Sequence, residues 1–583
     1  MRTSESTKPP ALDLETYTAI ARGLAVADRA ATDRILRSHD LTPARWAREA
    51  ERWALLLDSD PVLHDRFQDL YTHRGAEART AQPGQLMASP RASWLFLVAG
   101  AALLPFAIFQ TVIPIAAWLA PVFLLRFVRS RRPAMAIPVV AAVGYVAFLV
   151  ATRGVIEGPA AFIYALPGTV AVIPYAADRW AHRNLGGFTR TLVYPTIDTA
   201  LSFLASFGAF ATMGMTAYSQ VDDLPLIQVV SITGIWGLQF VIGWTAPVIN
   251  DAWEAGLWSR RAWVSSRGWL AVVGLTLVVG GARVALLPPD SETVRVAGLA
   301  PSRSQIERIE TAGIFARERT AGEQDRIAAE LLDPQIEELF ARTELEAAAG
   351  ANIVVWAEAA ISVFDSDEPA LIEQARQVAI ANRIYLQIGM VVLLPRSEYP
   401  TVENRAVMFG PDGEIVWDYA KATVPLGDGN AHGPGIVPFA DTPYGRLATV
   451  ICFDADLPGL VRQAGQAGVD ILLVPASDFG TAGEPHARMS VLRAVENGTA
   501  LFRPARRGVS IAVDHLGRTL GYQDDYETNA EQTMVSTLPT RGSATAYSLV
   551  GDVLGWAVLI GAPVLLSTAW RNRKTPDGGG RKV

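Results

Sequence analysis

The chain has 583 residues, half of them hydrophobic and only 19% charged, with a mean hydropathy of +0.22; these totals exclude an ordinary soluble globular protein. A net charge of -7 excludes nucleic acid as the main partner. The single cysteine, Cys452, excludes an intramolecular disulfide and a cysteine-rich zinc site.

Residues 1–90 are polar, rich in both signs of charge, and read as short amphipathic helices. Thr42-Pro43 is a helix start: a capping side chain followed by proline at the first helical position. Trp46, Trp53, Leu56, Leu57, Phe67 and Tyr71 then recur at helical spacing. They predict the core of a small all-α extension, to which no chemistry can be assigned. The first apolar run begins only near Trp94, so no cleavable signal peptide is expected.

Residues 91–289 carry seven apolar segments, at about 94–110, 111–127, 134–152, 159–177, 193–216, 225–249 and 268–287; an eighth covers about 546–570 within 544–570. Each is near the length that crosses ~30 Å of hydrocarbon as a helix. Arg126, Arg129, Arg131 and Arg132 follow the second segment. Arg179, His182, Arg183 and Arg190 follow the fourth. Arg260, Arg261 and Arg267 follow the sixth, and Arg571, Arg573 and Lys574 follow the eighth. Basic loops stay on the cytoplasmic side. All four clusters follow even-numbered segments, so both termini, including a basic tail at 571–583, are expected in the cytoplasm and residues 290–543 outside it. Asp198 and Asp552 sit near span ends, and other charges within the spans are few, which argues against a transporter.

Between 290 and 543, strand-like runs alternate with helical ones. "VRVAGLA" (294–300), "NIVVWAE" (352–358), "IYLQIGMVVL" (384–393), "RAVMFG" (405–410), "GEIVWDYAK" (413–421), "RLATVICFD" (446–454), "VDILLVPAS" (469–477) and "GVSIAVDHLG" (508–517) read as strands or hairpins. Helices fit 367–382, 456–467 and 485–498. The alternation predicts an α/β layered domain. Glu358, Lys421 and Cys452 stand at or near the ends of three of these strands, where α/β sheets gather their chemistry. A thiol must lose its proton before it attacks a carbonyl, and a carboxylate within reach can take that proton. A nearby ammonium favours the thiolate and the oxyanion that forms on attack. A free thiol outside the cytoplasm risks oxidation, which gives a chain with one cysteine a reason to keep it.

At these residues the domain resembles the nitrilase (carbon–nitrogen hydrolase) superfamily. Trp356-Ala357-Glu358 is similar to its glutamate motif, and Tyr419-Ala420-Lys421 with Val424-Pro425-Leu426-Gly427-Asp428 to its lysine motif. Ile451-Cys452-Phe453-Asp454 is similar to its nucleophile motif, and "DILLVPASDF" and the helix holding His486, Arg488, Arg493, Ala494 and Glu496 also fit. Seven apolar segments before such a domain and one after it, with "SITGIWGLQFVIGW" (231–244), resemble the apolipoprotein N-acyltransferases of the bacterial inner membrane. The resemblance implies an αββα sandwich inserted between transmembrane helices 7 and 8. It implies catalysis by Glu358, Lys421 and Cys452, with Asp428, Phe453 and Asp454 at the substrate and with no metal or organic cofactor. A fatty acyl chain would pass from a membrane phospholipid to Cys452 as a thioester, then to the amino group of a diacylglyceryl-cysteine lipoprotein. The alternatives are a membrane-anchored amidase, an acyltransferase with another acceptor, and a scaffold without catalysis. Ala357, Asp428, Phe453, Asp454 and Phe479 differ from the residues usual in the acyltransferases, and the segment after Val296 lacks their Gln-Asn-Ile run.

Overall fold

The computed structural model describes all residues except 1–11, 26–28, 81–89, 156–157, 159, 209, 290, 315–318, 396–399, 424–430, 479–480, 525–531 and 575–583. The chain forms two compact units: Met1–Ala92 with Trp253–Leu257, and Ser93–Ala252 with Trp258–Val583.

In the first unit, helices span Leu14–Leu24, Arg29–Ser38, Pro43–Ser59 and Pro61–Thr80. Thr42 caps the third as its sequence predicts: Oγ1 accepts the Arg45 N–H at 3.3 Å. Tyr17 stacks on Trp46 and Trp53, with ring centroids 5.4 and 5.3 Å away, and Phe67 and Leu57 close this core. Leu56, expected inside, is exposed. It sits one residue from Leu57 on a helix, so the two point about 100° apart and only one can face the core.

In the second unit, four helices among the described residues are long and apolar enough to cross a membrane: Pro133–Ala151, Ala160–Ala181, Arg260–Leu286 and Val553–Arg573. The span of Ala160–Ala181 is broken into short helical pieces. Leu275 and Val278 on one long helix, and Ile560 and Val564 on another, are more than half exposed. Apolar surface of that extent needs a non-aqueous neighbour. The remaining apolar segments form shorter or interrupted helices. The segment expected at 193–216 stops as a helix at Ala205. The one expected at 225–249 breaks at Gly234, whose φ of 65° ends Val230–Thr233 before Ile235–Ala255 begins. A Cβ on Gly234 would lie 2.6 Å from the buried Tyr547 ring, so the break and the packing both require glycine.

Three of the arginines read as cytoplasmic loop charges, Arg126, Arg129 and Arg190, are instead buried. Arg129 donates to Asp178 at 2.8 Å and to Asp251 at 3.0 Å, and Arg190 pairs with the other oxygen of Asp251. Charge counting along a sequence cannot see carboxylates that arrive from other helices.

Among the described residues the α/β part has fifteen strands: β1 Thr293–Ala300, β2 Ile353–Trp356, β3 Ile361–Phe364, β4 Tyr385–Leu393, β5 Val402–Phe409, β6 Ile415–Ala420, β7 Phe439–Thr442, β8 Gly445–Thr449, β9 Ile471–Leu473, β10 Ala476–Ser477, β11 Ala500–Arg503, β12 Ala505–Arg506, β13 Val509–Val513, β14 Thr519–Asp524 and β15 Gln532–Pro539. One sheet runs β15-β1-β2-β4-β5-β6 with β3 beside β4; the other runs β14-β13-β11-β9-β8-β7; β10 pairs with β12. The period-2 alternation of strands makes both faces of each sheet apolar. Val294, Val296, Ile353 and Val355 pack between the sheets against Leu447, Ile471 and Phe502. Val354 and Trp356 face outward to the helices Asp333–Ala348 and Glu368–Asn382. Ala448, Leu472 and Leu501 face the helices Pro458–Gln466 and Gly483–Asn497. The result is four layers, helix–sheet–sheet–helix.

The outer helix Gly483–Asn497 also joins the apolar segments. Glu496 accepts the Ile235 N–H at 2.6 Å, at the start of Ile235–Ala255, and is paired with Arg493 at 3.1 Å. A carboxylate there satisfies an otherwise orphaned donor and the positive end of the helix dipole.

Candidate active site

Glu358, Lys421 and Cys452 come from three strand ends and meet between the sheets. Glu358 lies just past β2, Lys421 directly after β6, and Cys452 three residues past β8. All three side chains are buried. Gly389 on β4 makes room for the first: a Cβ there would lie 2.1 Å from the Ala357 carbonyl oxygen. The next residue, Ala359, turns at a φ of 49°.

Lys421 Nζ donates to Glu358 Oε1 at 2.6 Å, and Asn404 Nδ2 on β5 donates to the same oxygen at 2.7 Å. Glu358 Oε2 is buried with no hydrogen-bond partner of ordinary geometry, and the Cys452 thiol is close enough to act on the carboxyl. Burial alone would raise the Glu358 pKa. The Lys421 charge and the hydrogen bonds from Lys421, Asn404 and Cys452 outweigh it and hold the carboxyl below its ordinary value. Burial would lower Lys421, but the charges of Glu358 and Cys452 reverse that and keep the ammonium well above its usual range. The resting pair is therefore carboxylate and ammonium.

Cys452 has a φ of 49°, a left-handed conformation that costs a non-glycine residue free energy and places the thiol at a sharp turn. Its N–H donates to the Pro475 carbonyl at 2.9 Å, and its thiol approaches the Ser477 carbonyl at 3.7 Å. Burial and the Glu358 charge push the thiol's pKa up, while Lys421 and His486 pull it down.

Asp454, expected at the substrate, is wholly buried. Its carboxylate accepts from Tyr419 Oη at 2.8 Å, Ala422 N at 3.1 Å, Thr423 N at 2.8 Å and Ile451 N at 3.3 Å. That geometry ties the Lys421 segment to the Cys452 turn. Phe453 lies beside the His486 ring, with centroids 6.4 Å apart. Asp428, with Val424–Gly427, and Phe479 fall outside the described residues.

The site has a second half that the strand ends did not reveal. His486, on the helix Gly483–Asn497, donates from Nδ1 to Asp478 Oδ1 at 3.0 Å, and Asp456 Oδ2 lies 3.7 Å from Nε2. Arg503 on β11 grips both oxygens of Asp478, at 2.7 and 3.1 Å. Ligand atoms of Cys452, Asp478 and His486 lie within 4.8 Å of one another. The guanidinium on Asp478 already supplies the cation that a metal would supply, so the group is an ion-pair cluster by its own chemistry. Arg506 bridges the two sheets, donating to Ser477 Oγ and to the Ala359 carbonyl, both at 2.7 Å. The helix holding His486 and the run "DILLVPASDF", which includes Asp478, carried a signal in the sequence; Arg503, 25 residues beyond Asp478, did not and is joined to it by the fold alone.

Residues 317–544 match the carbon–nitrogen hydrolase family. An apolipoprotein N-acyltransferase of Geobacter metallireducens is 26% identical over 430 residues, 69% of this chain and 78% of that one. The Rhodopseudomonas palustris apolipoprotein N-acyltransferase is 24% identical over 62% of this chain and 69% of its own length. A deaminated glutathione amidase of Yersinia enterocolitica is 25% identical over 242 residues, 37% of this chain. Among solved structures, an amidase from Nesterenkonia sp. aligns over 44% of this chain and 94% of its own, at 18% identity and a TM-score of 0.33. The chain is a divergent, apolipoprotein N-acyltransferase-like member of the nitrilase superfamily of enzymes, with Cys452 set close to Asp478 and His486.

Proposed function

We propose that this enzyme moves a fatty acyl chain from a membrane phospholipid to the N-terminal amino group of a diacylglyceryl-cysteine lipoprotein, through a thioester on Cys452. One observation favours this over amide hydrolysis. The likeness to an apolipoprotein N-acyltransferase runs over 430 residues, more than the stretch 317–544 can hold, and so includes the apolar helices. The likeness to an amidase covers 242 residues.

In the proposed cycle, Glu358 takes the thiol proton through Oε2, and the thiolate attacks the phospholipid ester carbonyl. Lys421 stabilises the oxyanion. As the C–O bond breaks, Glu358 returns the proton to the leaving lysophospholipid alcohol. The acceptor amine then attacks the thioester, Glu358 removes its proton, and the C–S bond breaks as Glu358 returns that proton to the Cys452 sulfur. The catalytic residues are thus Glu358, Lys421 and Cys452. Asp454 positions the lysine segment, and Phe453 and Asp428 are assigned to substrate binding. Eight segments of 91–289 and 544–570 span the bacterial inner membrane. The sandwich of 290–543 lies outside the cytoplasm, with 1–90 and the basic tail 571–583 inside. Both substrates are lipids, so a sandwich standing on apolar helices can reach their head groups while the helices hold the chains.

The test has two arms. Full-length protein in detergent, incubated with a phospholipid carrying a labelled acyl chain, should form a hydroxylamine-sensitive label on Cys452 and none in Cys452→Ala. The gene should also sustain a strain depleted of its lipoprotein N-acyltransferase. Thioester formation without complementation would reject the lipoprotein acceptor, and full complementation by Cys452→Ala would reject the thioester.

A further inference from the structure

Cys452 faces two charged systems, and the proposed cycle uses one. Glu358 and Lys421 reach it from the first sheet. From the second sheet and its outer helix come His486, Asp478 and Arg503, with the Cys452 thiol, an Asp478 oxygen and a His486 ring nitrogen within 4.8 Å of one another. We propose that His486 is a fixed imidazolium, locked in place by Asp478 and Arg503, and acts as a positioning residue that favours the thiolate of Cys452.

The geometry carries this in three steps. First, the ring cannot rotate freely: Nδ1 is held by Asp478 at 3.0 Å, and Asp478 is in turn held on both oxygens by Arg503. Second, the ring lies between carboxylates, Asp478 at one nitrogen and Asp456 3.7 Å from the other. The Asp478 charge is shared with Arg503, but Asp456 makes no hydrogen bond through Oδ2. It therefore offers its charge to His486, which suits a ring protonated on both nitrogens. Third, the cluster is almost wholly buried: His486 is 3% exposed, Asp456 and Asp478 2%, and Arg503 1%. Buried charge interacts strongly because water does not screen it.

The other charges around the ring are Lys421 and Glu358 beyond the thiol, Arg506 on β12, and Arg493 on the same helix. Lys421 and Glu358 form a neutral pair, so Lys421 alone offsets little of the negative charge that appears on sulfur. His486 supplies a cation within 4.8 Å of the thiol, and the Asp478 oxygen at the same range shares its charge with Arg503. Burial lowers the imidazole pKa, but Asp456, Asp478 and Cys452 together hold it well above the ordinary value. No proton is transferred to or from His486 in the cycle: Glu358 takes the thiol proton, and the sulfur's electron pair is stabilised by the imidazolium until it forms the C–S bond.

The inference rests on Cys452 being the nucleophile, but its test does not need acyl transfer. Because the chain has one cysteine, iodoacetamide alkylation of the full-length protein in detergent reports on Cys452 alone. Its rate against pH should rise with a midpoint that His486→Gln and His486→Asn move upward by roughly 1–2 units. Thermal unfolding would confirm that each variant is folded. A purely structural histidine would lower the amplitude or the melting temperature and leave the midpoint in place, and that result in a folded variant overturns the proposal. Wild-type protein labelled with ¹⁵N-histidine gives an arm free of mutation. At pH 8.5 one ring should remain protonated on both nitrogens, where exposed histidines are neutral, and a spectrum with no such ring also overturns it. Full complementation by Cys452→Ala would reject the thioester and leave this result untouched, so the two readings fail separately.

Discussion

At the scale of single residues, the site is a balance between burial and pairing. Glu358 is buried, which should favour its neutral form, yet Lys421 and Asn404 hold it ionised. Its folded pKa lies below the free value of 4.5. The pair's contribution to stability is therefore complete above about pH 4.5 and fades as the pH falls through the lowered folded value. Glu358→Gln should flatten the acid limb of a stability-against-pH curve measured by thermal unfolding, and abolish thioester formation at neutral pH. An acid limb as steep as wild type would show that the pair is not ionised. Asp454 illustrates a different balance. Four donors converge on it, two of them the backbone N–H groups that follow Lys421. Asp454→Ala takes the acceptor from all four, at a cost of about 1–3 kcal/mol for each group left buried and unpaired. It should lower the melting temperature and cut acyl-enzyme formation at least tenfold, because Lys421 loses its anchor. Wild-type turnover would mean the lysine segment is held by other contacts. Glu358, Lys421 and Cys452 were legible as a group in the sequence because each stands at or near the end of an apolar strand, and the fold brings them together. The histidine half was legible only in pieces, the run ending near Asp478 and the helix of His486, since Arg503 joins them from a strand whose spacing has no period.

At the scale of elements, strands with both faces buried were the easiest to read. β1, β2, β4 and β9 are nearly continuous apolar runs, the pattern of strands buried on both faces. β14 has an exposed, polar alternation, and β15 carries Gln532, Thr533 and Ser536 among its apolar residues. Both escaped notice although β15 pairs with β1 along all eight residues and closes that edge of the sheet. The apolar segments showed the opposite failing: their composition was plain but their breaks were not. Gly234 is the case in point. Its φ of 65° with ψ of -177° is a region essentially confined to glycine. Gly234→Ala should destabilise the protein by roughly 1–3 kcal/mol from the backbone alone, and by more from the Tyr547 ring 2.6 Å from the new Cβ. Adding Tyr547→Ala should relieve only the steric part. A double variant that melts like Tyr547→Ala would show that the backbone conformation carries no cost.

At the scale of the whole molecule, the second unit ties a layer of apolar helices to the α/β sandwich through buried charge. Glu496 takes the first N–H of Ile235–Ala255 and neutralises Arg493 inside the helix layer of the sandwich. Burial pushes its carboxyl up to about 7, against the pull of Arg493 and the Ile235 N–H. Glu496→Ala leaves both partners unmatched. Breaking one side of a buried ion pair costs about 3–5 kcal/mol, so the variant should melt lower and become open to protease. Equal stability would place the joint elsewhere.

The placement of that sandwich relative to the membrane is open to a direct measurement, because the only native thiol can be removed. In a Cys452→Ala background, Trp258→Cys lies in a fully exposed turn just before Arg260–Leu286, and Thr519→Cys lies at the exposed start of β14. Arg260–Leu286 has 27 residues, about 40 Å of helix at 1.5 Å per residue, which exceeds the ~30 Å of a hydrocarbon core. The two sites should then stand on opposite sides of the bilayer. A membrane-impermeant maleimide should label Thr519→Cys in intact spheroplasts and Trp258→Cys only after permeabilisation. The reverse pattern would put the sandwich in the cytoplasm, away from the surface where lipoproteins present their amino termini. Labelling of both from outside would show that Arg260–Leu286 does not span. The buried pairs of Arg129 and Arg190 sharpen the expectation, since those arginines are matched by Asp178 and Asp251 and leave the orientation to be set by other basic residues at the same ends, among them Arg260 and Arg261 beside Trp258.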